Sequence, residues 1–236
     1  CFLSGGIDSS LITSIMNTQS NTKIKTFTIG FSENSFDESK YAKEIAQIIG
    51  TEHYEKILSP YETLSLVPSL PYVYDEPFAD SSQIPTILLS QFTKSKVKVA
   101  LSGDGGDELF GGYNRYFWVN KIWKFFSWMP FEIRIIVGNI LSRIPAKKIS
   151  LFYYLIIKNQ YKIKDNFIGE KAIKTFKRLQ YVKNLDDLFI SLTTEWNWTE
   201  NPVLNSKNKK INLYDNFPEL KNFDFREKMM YWDLTN

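Results

Sequence analysis

The sequence predicts an α/β fold: a parallel sheet with helices on both faces, followed by a mainly helical region. Three observations predict it. Residues 1–101 alternate short β-branched or aromatic runs with longer stretches of helical period. Glycine-rich, polar stretches follow the apolar runs, as loops do at the carboxyl ends of parallel strands; Ser4–Asp8, Gly30–Asp37 and Ser102–Asp107 all qualify. From Tyr113 onward strand patterns vanish and helical stripes take over.

Each element has its own warrant. Phe2-Leu3 is the end of an apolar strand. Asp8–Asn17 reads as a helix with Leu11, Ile12, Ile15 and Met16 on one buried face. Lys25–Gly30 is β-branched and aromatic and ends in glycine, a strand. Asp37 can cap the next helix, with Tyr41, Ala42, Ile45, Ile48 and Ile49 as its buried stripe and Gly50 closing it. Glu52–Leu58 is a third strand. Pro60–Tyr74 holds one or two short helices broken by Pro68 and Pro71. Ser81 or Ser82 can cap a helix over Gln83–Thr93, where Pro85 is tolerated because it falls in the first turn. Lys96–Leu101 reads as a fourth strand. Beyond it, Ile133, Ile136, Val137, Ile140 and Leu141 form one inward stripe, and Leu185, Leu188, Phe189 and Leu192 another. Trp118, Trp123, Trp128, Trp196 and Trp198 are expected in cores or helix contacts. Asn201–Asn212 reads as a polar loop, and Phe225–Leu234 as a final helix.

Composition narrows the class. A chain of 236 residues, 43% hydrophobic and 23% charged, is an ordinary globular one of one large or two small domains; the text change divides it into 1–112 and 113–236. No apolar run approaches the roughly 20 residues of a membrane span, so no membrane partner is expected. A single cysteine excludes an internal disulfide and fits a reducing, cytoplasmic compartment. Cys1 could be an N-terminal nucleophile, but Phe2-Leu3 continue a buried strand, which favours a small apolar strand residue. Residues 1–112 carry eight lysines or arginines against fourteen carboxylates, and residues 113–236 carry twenty-one against twelve. The basic half spreads its lysines along amphipathic segments, which speaks for solvated helix faces and against nucleic acid. An acidic half that binds a triphosphate would need divalent cations.

Two stretches carry the chemistry. Phe2-Leu3-Ser4-Gly5-Gly6-Ile7-Asp8-Ser9-Ser10-Leu11 is a strand, a tight loop and a helix start in ten residues. Glycines let a backbone approach a ligand closely, and the helix start offers unpaired N–H groups to an anion, most simply phosphate. It is no Walker loop, since no glycine here is followed by lysine, and G-x-G-x-x-G occurs nowhere. In the second stretch, residues 102–108 hold three glycines and three carboxylates. Clustered carboxylates repel unless a cation sits among them; Mg²⁺ shared with phosphates is the economical account, and a helix start stabilised by Asp107 and Glu108 is the alternative. His53 fits a hydrogen-bonded strand residue better than a general base. Asp75, Glu76 and Asp80 could shape a substrate pocket or cap helices. Asp37 and Glu38 could face a nucleotide, and Arg115 could neutralise a ligand's charge or form a pair.

Together, Leu-Ser-Gly-Gly-Ile-Asp-Ser-Ser (3–10) and Ser-Gly-Asp-Gly-Gly-Asp-Glu-Leu-Phe-Gly-Gly-Tyr (102–113) closely resemble the synthetase domain of the glutamine-hydrolysing asparagine synthases, within the wider pyrophosphatase-loop ATP family. Phe27–Phe31 and Asp75–Asp80 match intermediate motifs, and Tyr231–Leu234 resembles the family again after a weaker stretch. The resemblance implies an adenine-nucleotide alpha-hydrolase-like fold that cleaves ATP between its α and β phosphates. It implies that Ser4, Gly5, Gly6, Asp8 and Ser9 hold pyrophosphate, and that the backbones of Leu3 and Ile29 hold adenine. Ser102 and Gly103 contact the nucleotide, and Asp8 and Asp107 bind Mg²⁺. Asp104 falls where the family places an acidic residue, Glu in some members, that supports an adenylated intermediate. Glu76, Asp80 and Ser81 are the candidate substrate residues. The implied partners are aspartate and ammonia, the latter made from glutamine by an N-terminal glutaminase domain that these residues do not contain. A homodimer in full-length form is compatible with this. The chain reads as a fragment cut at both ends, which alone is expected to be inactive or nearly so. The same chemistry could amidate a sugar uronic acid or close a ring, and a non-enzymatic nucleotide-binding scaffold is the remaining alternative.

Overall fold

The computed structural model describes residues 1–33, 37–76, 80–157, 168–194, 220 and 222–235. Trp196, Trp198, the Asn201–Asn212 stretch and residues 77–79 lie outside the described residues. The chain divides into two compact units, Cys1–Phe110 and Gly111–Asn236. No helix among the described residues is long and apolar enough to cross a membrane.

The first unit is α/β. Its order is α1 (Ile7–Gln19), β1 (Lys25–Phe31), α2 (Ser39–Ile49), β2 (Glu52–Leu58), α3 (Pro60–Ser65), a 3₁₀ turn (Val67–Ser69), α4 (Leu70–Val73), α5 (Gln83–Lys94) and α6 (Gly106–Phe110). β1 and β2 pair in parallel, Lys25 opposite Glu52 through Phe31 opposite Leu58. Successive side chains leave opposite faces of a strand. On one face Phe27 stacks on Tyr54 and meets Phe92 of α5 edge-on, while Ile29 and Phe31 pack with Leu58, Leu66, Ile87 and Leu88. On the other, Gly30 lies against Ser39 at the start of α2, and the Thr28 hydroxyl donates to the Leu3 carbonyl. Helices therefore cover both faces of the sheet.

Only two of the four expected strands form among the described residues. Cys1–Leu3 runs parallel to β1 with one bridge, Phe2 to Phe27; the Leu3 N–H donates to Phe27 O and the Phe27 N–H to Cys1 O. Residues 96–101 reach this segment with one bond, Phe2 N–H to Leu101 O at 2.8 Å, and form no strand. Their neighbour offers three residues before the glycine loop, too few for a ladder.

The expected helices are present, but several buried faces differ. In α1 the buried residues are Ser9 and Thr13, while Leu11 and Ile15 stand 47% and 45% exposed. The Thr13 hydroxyl donates to the Ser9 carbonyl, so a small polar side chain enters the core already satisfied. In α2 the buried residues are Ser39, Ala42 and Ala46, whereas Tyr41 and Ile48 point outward. Backbone approaches this helix so closely that only small side chains fit beneath it. Gly50 closes α2 in the left-handed conformation, as expected. Ser82 precedes α5 without a side-chain cap; the Asp80 carboxylate instead accepts the Ser82 N–H.

The second unit is helical among its described residues: α7 (Asn114–Phe126), α8 (Phe131–Leu141), α9 (Ala146–Ile157), α10 (Ile168–Arg178), α11 (Leu185–Thr193) and α12 (Phe225–Thr235). Its core gathers Tyr116, Val119, Val182, Leu188, Phe189, Ile190 and Met229. α11 buries Leu188 and Phe189, as its stripe predicts, and Asn184 caps it by accepting the Asp187 N–H. α8 corrects the reading. It buries Arg134 and Gly138, and Ile133, Ile136 and Ile140 are exposed. Gly138 lets the α10 backbone come close, and the Arg134 guanidinium donates to Val182 O between the rings of Trp123 and Phe131. Trp118 and Trp128 are likewise exposed rather than core.

Candidate functional site

The first loop is braced by two serines and spaced by one glycine. Gly5 has φ +83°, a conformation L side chains rarely adopt, and a Cβ there would lie 2.8 Å from Ala42 N and from two atoms of Tyr41. The loop thus lies directly on α2. The Ser9 hydroxyl accepts the Ser4 N–H at 3.2 Å, lies 3.0 Å from the Ser4 hydroxyl and reaches Gly6 O at 3.2 Å. α1 starts at Ile7 with Gly6 as N-cap and no side-chain cap among the described residues. The N–H groups of its first turn, Ile7 to Ser9, therefore have no intrahelical acceptor and present a positive end to an anion.

The second loop packs onto the same turn. A Cβ on Gly103 would sit 2.8 Å from Ser9 N, and one on Gly106 would sit 2.6 Å from Asp8 Cγ. Asp107 follows Gly106 directly, so both metal-candidate carboxylates belong to the place where the loops meet. The Ser102 hydroxyl donates to the Asp104 carboxylate at 2.9 Å. Among the described residues no group of three or more His, Cys, Asp or Glu converges. A pair of carboxylates does not cage Ca²⁺ or Zn²⁺, but it fits Mg²⁺, which keeps waters and takes phosphate oxygens from its substrate.

A cavity of about 440 Å³ opens at the carboxyl end of β1 beside these loops. Of the residues singled out from sequence, Leu3, Ser4, Gly6, Asp8, Ser9, Ile29, Ser102, Gly103 and Asp104 line it. Gly5 lies behind the lining against α2, and Asp107 stands next to Gly106 outside it. Glu76, Asp80 and Ser81 are not on the wall; Ser82 is. The backbone and side-chain bonds from Ser82 hold the Asp80 carboxyl below its usual range. Sequence reasoning did not single out Phe2, Thr28, Phe31, Pro85, Thr86 or Leu89 as site residues, yet they complete the wall. Their only signal was position, at the ends of strands and in the first turns of α5. Glu38 also lines the cavity, while Asp37 spends its carboxylate on the Ser39 N–H at 3.1 Å.

The family model described as Asparagine synthase matches residues 1–236. The chain belongs to the asparagine synthase family. Its sequence is 45% identical over 115 residues to asparagine synthetase [glutamine-hydrolyzing] 1 of Bacillus subtilis, covering 49% of this chain and 18% of that protein. It is 38% identical over 148 residues to a putative asparagine synthetase [glutamine-hydrolyzing] 2 of Methanocaldococcus jannaschii, 62% of this chain and 28% of that protein. Asparagine synthetase [glutamine-hydrolyzing] 2 of rice is 36% identical over 124 residues, 47% of this chain and 20% of that protein. The matches thus span less than a third of these relatives' length.

Other residues weighed from sequence stand away from the cavity of this asparagine synthase chain. His53 lies at the amino end of β2, its Nδ1 3.0 Å from the Thr26 hydroxyl, and burial keeps its pKa below the usual histidine value. Arg115 donates twice to the Asp233 carboxylate, at 2.7 and 3.0 Å, and lies over the Tyr113 ring, so its charge is taken within the second unit. Cys1 is buried, and its amino group donates to Lys25 O at 2.7 Å.

Proposed function

We propose that this chain is the nucleotide-using part of an ATP-dependent amidation, with aspartate as the carboxylate and ammonia as the nitrogen donor. The observation that carries it is the meeting of the Ser4–Ser9 turn with Gly103 and Gly106 at the rim of one cavity. The apolar wall, with the backbones of Leu3 and Ile29, would take adenine. Ser4, Gly6, Ser9 and the first-turn N–H groups would take the phosphates, and Ser102 and Gly103 the nucleotide beside them. Asp8 and Asp107 would hold Mg²⁺, which when bound supplies charge neutralisation for a leaving pyrophosphate.

In this reading an oxygen of the aspartate β-carboxylate attacks the α-phosphorus, and the bond to the bridging α,β oxygen breaks. Pyrophosphate leaves with that electron pair, its charge facing the α1 N-terminus. The product is β-aspartyl-AMP, an activated acyl group. Ammonia adds at the acyl carbon, AMP departs and a proton is lost, giving asparagine. Asp104 on the cavity wall, oriented by Ser102, supports the adenylate. The chain's residues position groups and balance charge, and none becomes covalently attached. In the full-length protein a glutaminase domain would supply the ammonia.

A second carboxylate remains in play because Glu76, Asp80 and Ser81 stand off the wall. The test is pyrophosphate release by the full-length protein with ATP, Mg²⁺ and a panel of carboxylates, sugar uronic acids included. Aspartate-dependent release supports the proposal. Release only with a uronic acid would transfer the same chemistry to another substrate, and no ATP binding at all would leave the scaffold reading.

A further inference from the structure

We infer that Glu38 reads the sugar of the nucleotide, accepting hydrogen bonds from its 2′ and 3′ hydroxyls; the inference rests on the nucleotide reading of the cavity. Glu38 lines the cavity, is exposed, and makes no side-chain hydrogen bond or ion pair among the described residues. Its neighbour Asp37, by contrast, is consumed by the turn into α2. A carboxylate on the wall of a phosphate site repels the phosphates, so its use must be toward a neutral donor.

The place of Glu38 says which donor. The first turns of α2 touch the cavity's two ends. Asp37 and Ser39 press on Gly30 at the carboxyl end of β1, where a Cβ would lie 2.7 Å from Asp37 Oδ1 and 2.9 Å from Ser39 Cβ. That end, with Ile29 and Phe31, is the apolar wall that suits a base. Tyr41 and Ala42 press at 2.8 Å on Gly5, in the loop that suits phosphates. Glu38 therefore stands between the base wall and the phosphate loop, on a helix held at both ends by glycine contacts. The part of a nucleotide that joins base to phosphates is the ribose, and its vicinal diol offers two O–H donors to one carboxylate. The inference makes Glu38 a specificity-determining residue.

The experiment measures binding of ATP and of 2′,3′-dideoxy-ATP, each with Mg²⁺, to the chain and to its Glu38→Ala and Glu38→Gln variants by titration calorimetry. The parent is expected to favour ATP over the dideoxy nucleotide by about tenfold, the worth of a charged hydrogen bond. Glu38→Ala should lose that preference by weakening ATP alone, and Glu38→Gln, which keeps one carbonyl acceptor, should fall between. Equal weakening of both nucleotides, or no change in either, overturns the role of Glu38 while leaving the nucleotide site standing. A parent that binds neither nucleotide overturns the site and this inference together.

Discussion

Replacing Gly5 by alanine tests how the phosphate loop is held. Two costs apply. At φ +83° an alanine pays the left-handed penalty, about 1–2 kcal/mol. Its Cβ would also lie 2.8 Å from Ala42 N and Tyr41 C, backbone atoms that cannot swing aside. Overpacking of that kind costs about 1–3 kcal/mol. The sum is about 2–5 kcal/mol. Gly50 supplies the control: its φ is +82°, and nothing lies within 4 Å of a Cβ there. Gly50→Ala should therefore cost only the backbone part, about 1–2 kcal/mol. All six tryptophans lie beyond Phe117, so their fluorescence reports the second unit. The first unit is better followed by amide exchange of Phe27, Thr28 and Ile29 in β1, with urea unfolding by circular dichroism as a second readout. If Gly5→Ala and Gly50→Ala agree within about 0.5 kcal/mol, the loop is not pressed against α2 and the packing argument fails.

Three further outcomes are expected. Asp8→Asn and Asp107→Asn should each weaken Mg²⁺-dependent ATP binding, and the double variant should be no worse than the stronger single one if they share an ion; strictly additive losses in the cycle would refute a shared site. Because burial keeps the folded pKa of His53 below 6.5, the unfolded chain binds its proton first, so stability present above pH 6.5 should be lost as pH falls below it. Urea midpoints at pH 7.5 and 5.5 should show that loss shrinking in His53→Gln, and an unchanged pH dependence would count against it. Asp233→Asn leaves the partly buried Arg115 guanidinium and the Tyr116 hydroxyl short of an acceptor, and should cost about 1–3 kcal/mol by tryptophan-monitored unfolding. A cost near zero would mean that the pair is solvated.

What the sequence made legible follows from how local each signal is. The two loops were readable because their glycines and carboxylates are chemical signals carried within a few residues. In the fold Gly103 and Gly106 are where the second loop touches Ser9 and Asp8, so these glycines mark close crossings rather than looseness. Helix period was equally local, and every described helix named from sequence is present. The face each helix buries is not local. α8 carries a clean isoleucine stripe, yet its buried side is set by Gly138 against α10 and by Arg134 reaching Val182 O. α1 and α2 repeat the lesson: contact close enough to seat the loop admits Ser9, Thr13, Ala42 and Ala46 and turns Leu11, Ile15, Tyr41 and Ile48 outward. Strands need even more than a neighbour, because a ladder is only as long as its shorter partner. Lys96–Leu101 has the side chains of a strand, but the segment beside it enters the glycine loop after Leu3, and one backbone bond is what that geometry allows. The same turn away from pairing is what frees Ser102 to Asp107 to lean across onto α1, so the lost strand and the assembled site share one cause.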